Sequence, residues 1–290
     1  MSLIRTIKQS FDLIKAYDLS LLLTIFFIFT HFQHIIRNQP VLFIPLIGLT
    51  SIGILFQDSR QSKWLWGPLT GIYWVWIILY WQVIDNHVFL WGYWMLSIYI
   101  SLWMPSPKRA LQLSATGLIG GCMALSVIQK LNPTYLSGDF FYFTLLTDSR
   151  FFFMDMFFKE DVIAIINENI QSISEMMSHS KAMVLNPGPA LFRPIAYVLS
   201  GYVLLLEAFI ATMFFMPRRW AYQWQHWGLF LFFSIYVILP IQGFAYALIT
   251  MGIALVKPHD KKLTFAYFAV LLYMICVSDV TIDYLMRVLR

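Results

Sequence analysis

What most constrains this chain is a succession of apolar runs, each near the thickness of a bilayer core, with most of the charge confined to the joints between them. The runs fall at about 19–36, 41–56, 65–84, 88–103, 110–129, 192–216, 227–256 and 263–284. A helix needs roughly 20 apolar residues to cross hydrocarbon. Backbone in lipid must satisfy its own hydrogen bonds, so such runs in series predict helices. With 59% hydrophobic and 12% charged residues and a mean hydropathy of +0.69, the composition argues against a water-soluble globule. The expected fold is all-α and integral to the membrane, a bundle of roughly eight transmembrane helices forming one domain over 1–290. The overlong run 227–256, broken near Pro240 and Gly243, is expected as one tilted, kinked helix or as a helix with a re-entrant piece.

Charge sets the expected orientation. Residues 1–18 carry Arg5, Lys8 and Lys15 on an amphipathic start, and no small-residue cleavage site follows the first run, which is therefore expected to stay in the membrane. With the N-terminus inside, Arg60/Lys63, Lys108/Arg109, Arg218/Arg219 and Arg287/Arg290 also fall inside, as the positive-inside rule prefers. Lys257, Lys261 and Lys262 then fall outside, against the rule. The net charge of +5 is spread over loop ends, which indicates membrane topology and no nucleic-acid partner. Cys122 and Cys276 both lie in apolar runs, so neither a disulfide framework nor a zinc site is expected. A bacterial cytoplasmic membrane suits this cysteine usage, with the lipid bilayer as the first partner.

One long insertion, 132–192, is expected at the extracytoplasmic face. Its first part, Phe140-Phe141-Tyr142-Phe143 through Phe157-Phe158, is too aromatic to face water and is expected to lie in the interface or dip into the bilayer. From Glu160 to Met183, Val162, Ile165, Ile166, Ile170, Ile173 and Met176/Met177 recur at helical spacing among acidic residues and asparagines, which predicts an amphipathic helix. Asn186-Pro187-Gly188-Pro189 then breaks the chain before it re-enters at Phe192.

Few residues in the apolar runs can carry chemistry. Lys130 is the first cation beyond a span with no charge from Ala110 to Ile128. It either snorkels to the headgroups or sits in a low-dielectric pocket that favours its free base. Glu207 is mid-span, where an unpaired carboxylate is expensive, and is expected to be protonated or paired within the bundle. His87 follows Asp85 and Asn86 in a joint on the same side as Lys130. His31 and His34 share a helix face, but no third ligand is evident, so packing outweighs metal or haem binding. Asp279 and Asp283 share a face near Arg287 and can neutralise it. No metal site is expected.

The stretch Asp85-Asn86-His87-Val88-Phe89-Leu90-Trp91-Gly92, followed by Gln129-Lys130-Leu131-Asn132-Pro133-Thr134-Tyr135-Leu136-Ser137-Gly138, resembles the transmembrane core of the vitamin K-dependent gamma-carboxylase family, also called the horizontally transferred transmembrane domain. Glu207 and the late Gly243-Phe244-Ala245-Tyr246 are similar in order and spacing. The chain departs from the family at Ile238-Leu239-Pro240-Ile241-Gln242, where many members are more polar and Gln242 is the main polar group. It also ends at Arg290, without the large extracytoplasmic domain that holds protein substrates in animal members.

The resemblance implies that Lys130, as a neutral base, deprotonates a reduced naphthoquinone of vitamin K or menaquinone type. Oxygen then makes the quinone a stronger base, which removes the γ proton of a peptide glutamate. The carbanion captures carbon dioxide and the quinone leaves as an epoxide. His87 would assist carboxylation, and Asn86, Glu207, Gln242 and Tyr246 would hold the quinone in a dry, aromatic pocket. The resemblance also implies a peptide substrate or a separate soluble partner. Two alternatives stand beside this lyase. One is a small bacterial relative that helps mature or export a secreted peptide toxin without carboxylation. The other is a non-catalytic membrane subunit or scaffold.

Overall fold

The computed structural model describes residues 16–36, 40–82, 84–158, 160–179, 184–237 and 242–276, and among these every regular element is helical. The elements are α1 (Ala16–Ile36), α2 (Pro40–Leu55), α3 (Lys63–Tyr80), α4 (Asn86–Ser101), α5 (Pro107–Lys130), α6 (Pro133–Leu136), α7 (Asp139–Thr147), α8 (Val162–His179), α9 (Phe192–Phe215), α10 (Arg218–Phe233), α11 (Gln242–Leu255) and α12 (Lys261–Cys276). Tighter 3-10 turns occupy Gln57–Gln61, Ser149–Met156 and Ser234–Val237. Local chemistry sets several boundaries. The Ser62 side chain accepts from Trp64 N at the start of α3, Pro107 opens α5, and Asn132 Oδ1 accepts from Tyr135 N over α6.

Two helices, α5 and α9, each of 24 residues, are long and apolar enough to cross a membrane. The stretches Ala16–Phe29, Ile44–Leu55 and Gln242–Leu255 are apolar but shorter. The centre of the bundle is α11, with Ala245, Ala247, Leu248, Ile249, Met251 and Ile253 fully buried against α1, α4, α5 and α12. At Gly252 the Tyr267 ring of α12 lies where a Cβ would be, 2.6 Å from that position, so the small residue permits the contact. The opposite, outward faces are also apolar: Val75, Ile78 and Leu79 on α3, Leu125 and Ile128 on α5, and Val198 and Leu205 on α9 are all exposed. Exposed apolar faces of this kind mark surfaces that meet lipid or another apolar partner.

The run 227–256 is two antiparallel helices, which corrects the single kinked element expected there. Its first helix, α10, begins at Arg218 in the polar stretch Arg218-Arg219-Trp220-Ala221-Tyr222-Gln223-Trp224-Gln225-His226, which a hydropathy reading leaves out. Hydrogen bonds fix the directions of both. Gln112, near the start of α5, donates to Ala254 O at the end of α11 (3.0 Å). Arg218, at the start of α10, bonds Leu255 O and Gln112. Lys257 N donates to Tyr222 OH (3.0 Å).

This pairing moves Lys257, Lys261 and Lys262 to the end of the bundle that holds Lys108, Arg109, Arg218 and Arg219, and so corrects the expectation that they lie opposite. Arg60 joins the same end through Asp18 (3.6 Å), because Tyr17 beside it reaches Ser101 at the end of α4. The other end gathers Asp85, Asp139, Asp148, Asp155, Asp161, Glu168 and Glu175. One end is therefore basic and the other acidic. Arg5, Lys8, Lys15, Asp279, Asp283, Arg287 and Arg290 lie outside the described residues, as do the side chains of His31 and His34.

The insertion folds over the acidic end. The expected amphipathic helix is α8. It turns Val162, Ile166 and Asn169 inward, and the Asn169 amide donates to Leu146 O and Asn186 O (both 3.1 Å). In the aromatic part, Phe141, Leu145, Leu146 and Phe151 are buried, with α7 packed on α9. Gly138 turns the corner between α6 and α7 at φ +80°, where a Cβ would meet Tyr197 N and Cα at 2.9 Å. Only glycine fits there, in conformation and in space.

Candidate functional site

Lys130 does not snorkel. It is the last residue of α5, and its stem runs back along the helix, as Cβ geometry favours, so that its amine meets Ser126 four residues earlier on the same face. Directly across, on α9, stands Glu207. Its two carboxylate oxygens each lie 2.8 Å from Lys130 Nζ, and Oε2 also accepts from Ser126 Oγ at 2.9 Å. The carboxylate is 5% exposed and the lysine side chain 22%. The pairing expected of Glu207 is thus made, and the amine has two acceptors inside the bundle. The amine, the carboxylate and the hydroxyl that bridges them form one closed hydrogen-bonded cluster.

Tyrosines surround this pair. The Tyr135 ring lies 5.7 Å from Lys130 Nζ and packs on Phe140 and Phe141. Burial, and after it the Glu207 carboxylate, push the Tyr135 phenol above its ordinary range, so the oxygen keeps its proton. Tyr236, in the 3-10 turn after α10, is 2% exposed, with Glu207 and Cys122 near enough to act on it electrostatically. Both phenol oxygens, and the Ser200 hydroxyl two turns before Glu207 on α9, are buried without a hydrogen-bond partner among the described residues. Such groups cost free energy unless something bonds them.

The other expected site residues lie in neighbouring clusters at the same end. His87 faces Asp85 across 4.0 Å at the start of α4, and Asn86 beside it is exposed. Trp91, one turn further along, donates its indole N–H to Gly243 O (2.9 Å), which fixes the register of α4 against α11. Gln242 therefore opens α11 beside the Trp91 level of α4, one turn from His87, and its Nε2 is buried without a partner among the described residues. Tyr246 stacks on Phe27 of α1 at 4.3 Å with the rings nearly parallel. The structure thus joins Lys130 to Glu207 directly and aligns His87 with Gln242 through the Trp91 bond.

Ser126, Tyr135 and Tyr236 were not singled out from the sequence. Ser126 had a legible signal, its four-residue spacing from Lys130, whereas Tyr236 is brought in only by the fold after α10. The expected dry pocket at Lys130 is not where the described cavity lies. That cavity, of about 770 Å³, opens at the basic end between Ser106–Gln112 and Arg218–Gln225.

No protein-family model, curated protein or solved structure matches this chain.

Proposed function

We propose that the chain is an integral membrane enzyme of the quinol-dependent carboxylase or epoxidase type, with its proton-transfer centre at Lys130. On this reading the long helices form a transmembrane bundle of nine crossings, because the last-but-one expected run contributes both α10 and α11. The basic end faces the cytoplasm under the positive-inside rule, and the acidic end, with Lys130, faces out. Exposed Trp64, Trp103, Trp220 and Trp224 near the basic end and Trp81 near the other suit two aromatic belts. The observation that carries the functional reading is the buried Lys130–Glu207–Ser126 cluster beside tyrosine hydroxyls that lack partners.

The residues fit a reduced naphthoquinone. Tyr135 and Tyr236 would offer hydroxyls to its ring oxygens, Gln242 would offer an amide N–H, and Phe140, Phe141 and Tyr246 would offer apolar walls once the aromatic segment opens to admit it. When bound, the quinol would supply the oxygen-dependent base that abstracts a glutamate γ proton. Lys130 would accept the quinol proton only as the free amine, and the ammonium it then becomes would be held by Glu207, its proton leaving toward the side on which the lysine is 22% exposed. Ser126 would keep the carboxylate oriented, and α7 with the aromatic turn would exclude water. His87 would act at the neighbouring cluster on the peptide carboxylate.

The test is epoxide formation from reduced menaquinone or vitamin K by purified protein in nanodiscs under oxygen. Wild type is expected to form epoxide, and Lys130→Ala is not. The Lys130→Met/Glu207→Met pair, expected to stay folded, separates chemistry from stability. Absence of epoxide from wild type across several quinones would overturn the reading. A second reading has its own observation: because both acceptors already saturate the Lys130 amine, the cluster also suits a structural pin in a non-catalytic membrane subunit. Epoxide formed equally by the folded double variant would favour that role for the pair.

A further inference from the structure

The cavity at the basic end has a chemistry that the Lys130 site does not use. Its lining brings together Lys108, Arg109 and Arg218 with Gln112, Thr116 and Gln225, and includes no carboxylate. Two helices start there. α5 opens at Pro107 and α10 at Arg218, and neither start carries a side-chain cap. Uncapped first turns direct backbone N–H groups and the positive end of the helix dipole outward. Arg218 is held rigidly by Leu255 O and by Gln112, yet its Nε is buried without an acceptor. Gln225, 2% exposed, forms part of the wall and is fixed by Met213 O at 3.0 Å. Leu113 and Met216, both exposed, form an apolar margin on the outer side.

We propose that this cleft binds a phosphate group, with the phosphate of an anionic phospholipid as the ligand that its apolar margin fits. Three cations and two helix N-termini converge on one volume of about 770 Å³, large enough for a headgroup. A basic pocket between helix ends at the cytoplasmic side of a membrane is the setting in which anionic headgroups are held. The phosphate would sit between Lys108, Arg109 and the first turn of α10. Lys108 and Arg109 would close over it, and the acyl chains would leave along Leu113.

The experiment is native mass spectrometry of the full chain in detergent, titrated with phosphatidylglycerol or phosphatidylcholine, with inorganic phosphate as a competitor. Arg218 also braces α11, so the test variant is Lys108→Gln/Arg109→Gln, which leaves those hydrogen bonds intact. Phosphatidylglycerol is expected to bind at least about tenfold more tightly than phosphatidylcholine. The double variant is expected to weaken it about 30-fold, from ~1 kcal/mol for each cation near a lipid surface. Weak competition by inorganic phosphate supports the lipid as the source. Competition at matching affinity supports the same site with a soluble phosphate-bearing ligand. Equal affinity for the two lipids, or phosphatidylglycerol binding unchanged in the variant, overturns the proposal.

Discussion

Removing either partner of the Lys130–Glu207 pair should destabilise the protein, and by unequal amounts. Lys130→Ala leaves a carboxylate that is 5% exposed on the inner face of α9, with only Ser126 to bond it. Breaking a buried ion pair in this way costs about 3–5 kcal/mol. Because the lysine end is 22% exposed, water can replace part of the loss, which puts the expected cost near ~3 kcal/mol. Glu207→Ala leaves an ammonium on a flexible stem at the last turn of α5, which can swing out to the interface, so the cost falls to about 1–2 kcal/mol. Replacing both by methionine fills the space without an unpaired charge and should lie within about 1 kcal/mol of wild type. The measurement is thermal unfolding of detergent-purified protein followed by tryptophan fluorescence, where each kcal/mol moves the midpoint by about 2–4 °C. Lys130→Ala should therefore fall by about 6–12 °C, and a double-mutant cycle should give a coupling of at least about 2 kcal/mol. Additive single effects, or a Glu207→Ala loss larger than that of Lys130→Ala, would refute the geometry from which these magnitudes are worked.

Two further predictions test the scaffold that positions this pair. Gly138→Ala should be severely destabilising, because φ +80° and the 2.9 Å approach to Tyr197 backbone each penalise a Cβ. The left-handed conformation alone costs ~1–2 kcal/mol, so a midpoint shift of less than about 2 °C would show that the corner is not built this way. Cysteines placed at Arg219 and His259 should react with a membrane-impermeant maleimide from the same side of the membrane, and one at Thr134 from the other. Labelling of Arg219→Cys and His259→Cys from opposite sides would restore the single-helix reading of 227–256.

The contrast between what the sequence shows and what it hides follows from the range of the interactions involved. The all-helical class, the amphipathic α8 and the chain break before Phe192 were legible because each is written in local periodicity or in a Pro/Gly cluster, which need no knowledge of the rest of the chain. That Glu207 would be protonated or paired was also legible, from the cost of a lone carboxylate in an apolar run. Its partner was not, since Lys130 lies on another helix and only the packing of α5 on α9 brings the two together. Tyr236 joins the site only because the chain turns back after α10, a turn that apolar continuity from 227 to 256 concealed.

The reversal also changes how the cations group along the bundle. Counting one helix where there are two inverts the side of everything that follows, so Lys257, Lys261 and Lys262 seemed to oppose the cations before them. With α10 and α11 antiparallel, those lysines rejoin Arg218 and Arg219, and Asp260 with Tyr222 ties their loop to the start of α10 (3.5 Å). The charge distribution in the sequence was therefore better information than the hydropathy profile at this point. A Pro/Gly break in an apolar run is legible, as it is near Pro240 and Gly243, but hydropathy alone does not say whether the chain kinks or reverses there. Had the charges been allowed to decide the helix count, they would have required a reversal of the chain between Arg219 and Lys257, which is where α10 and α11 run antiparallel.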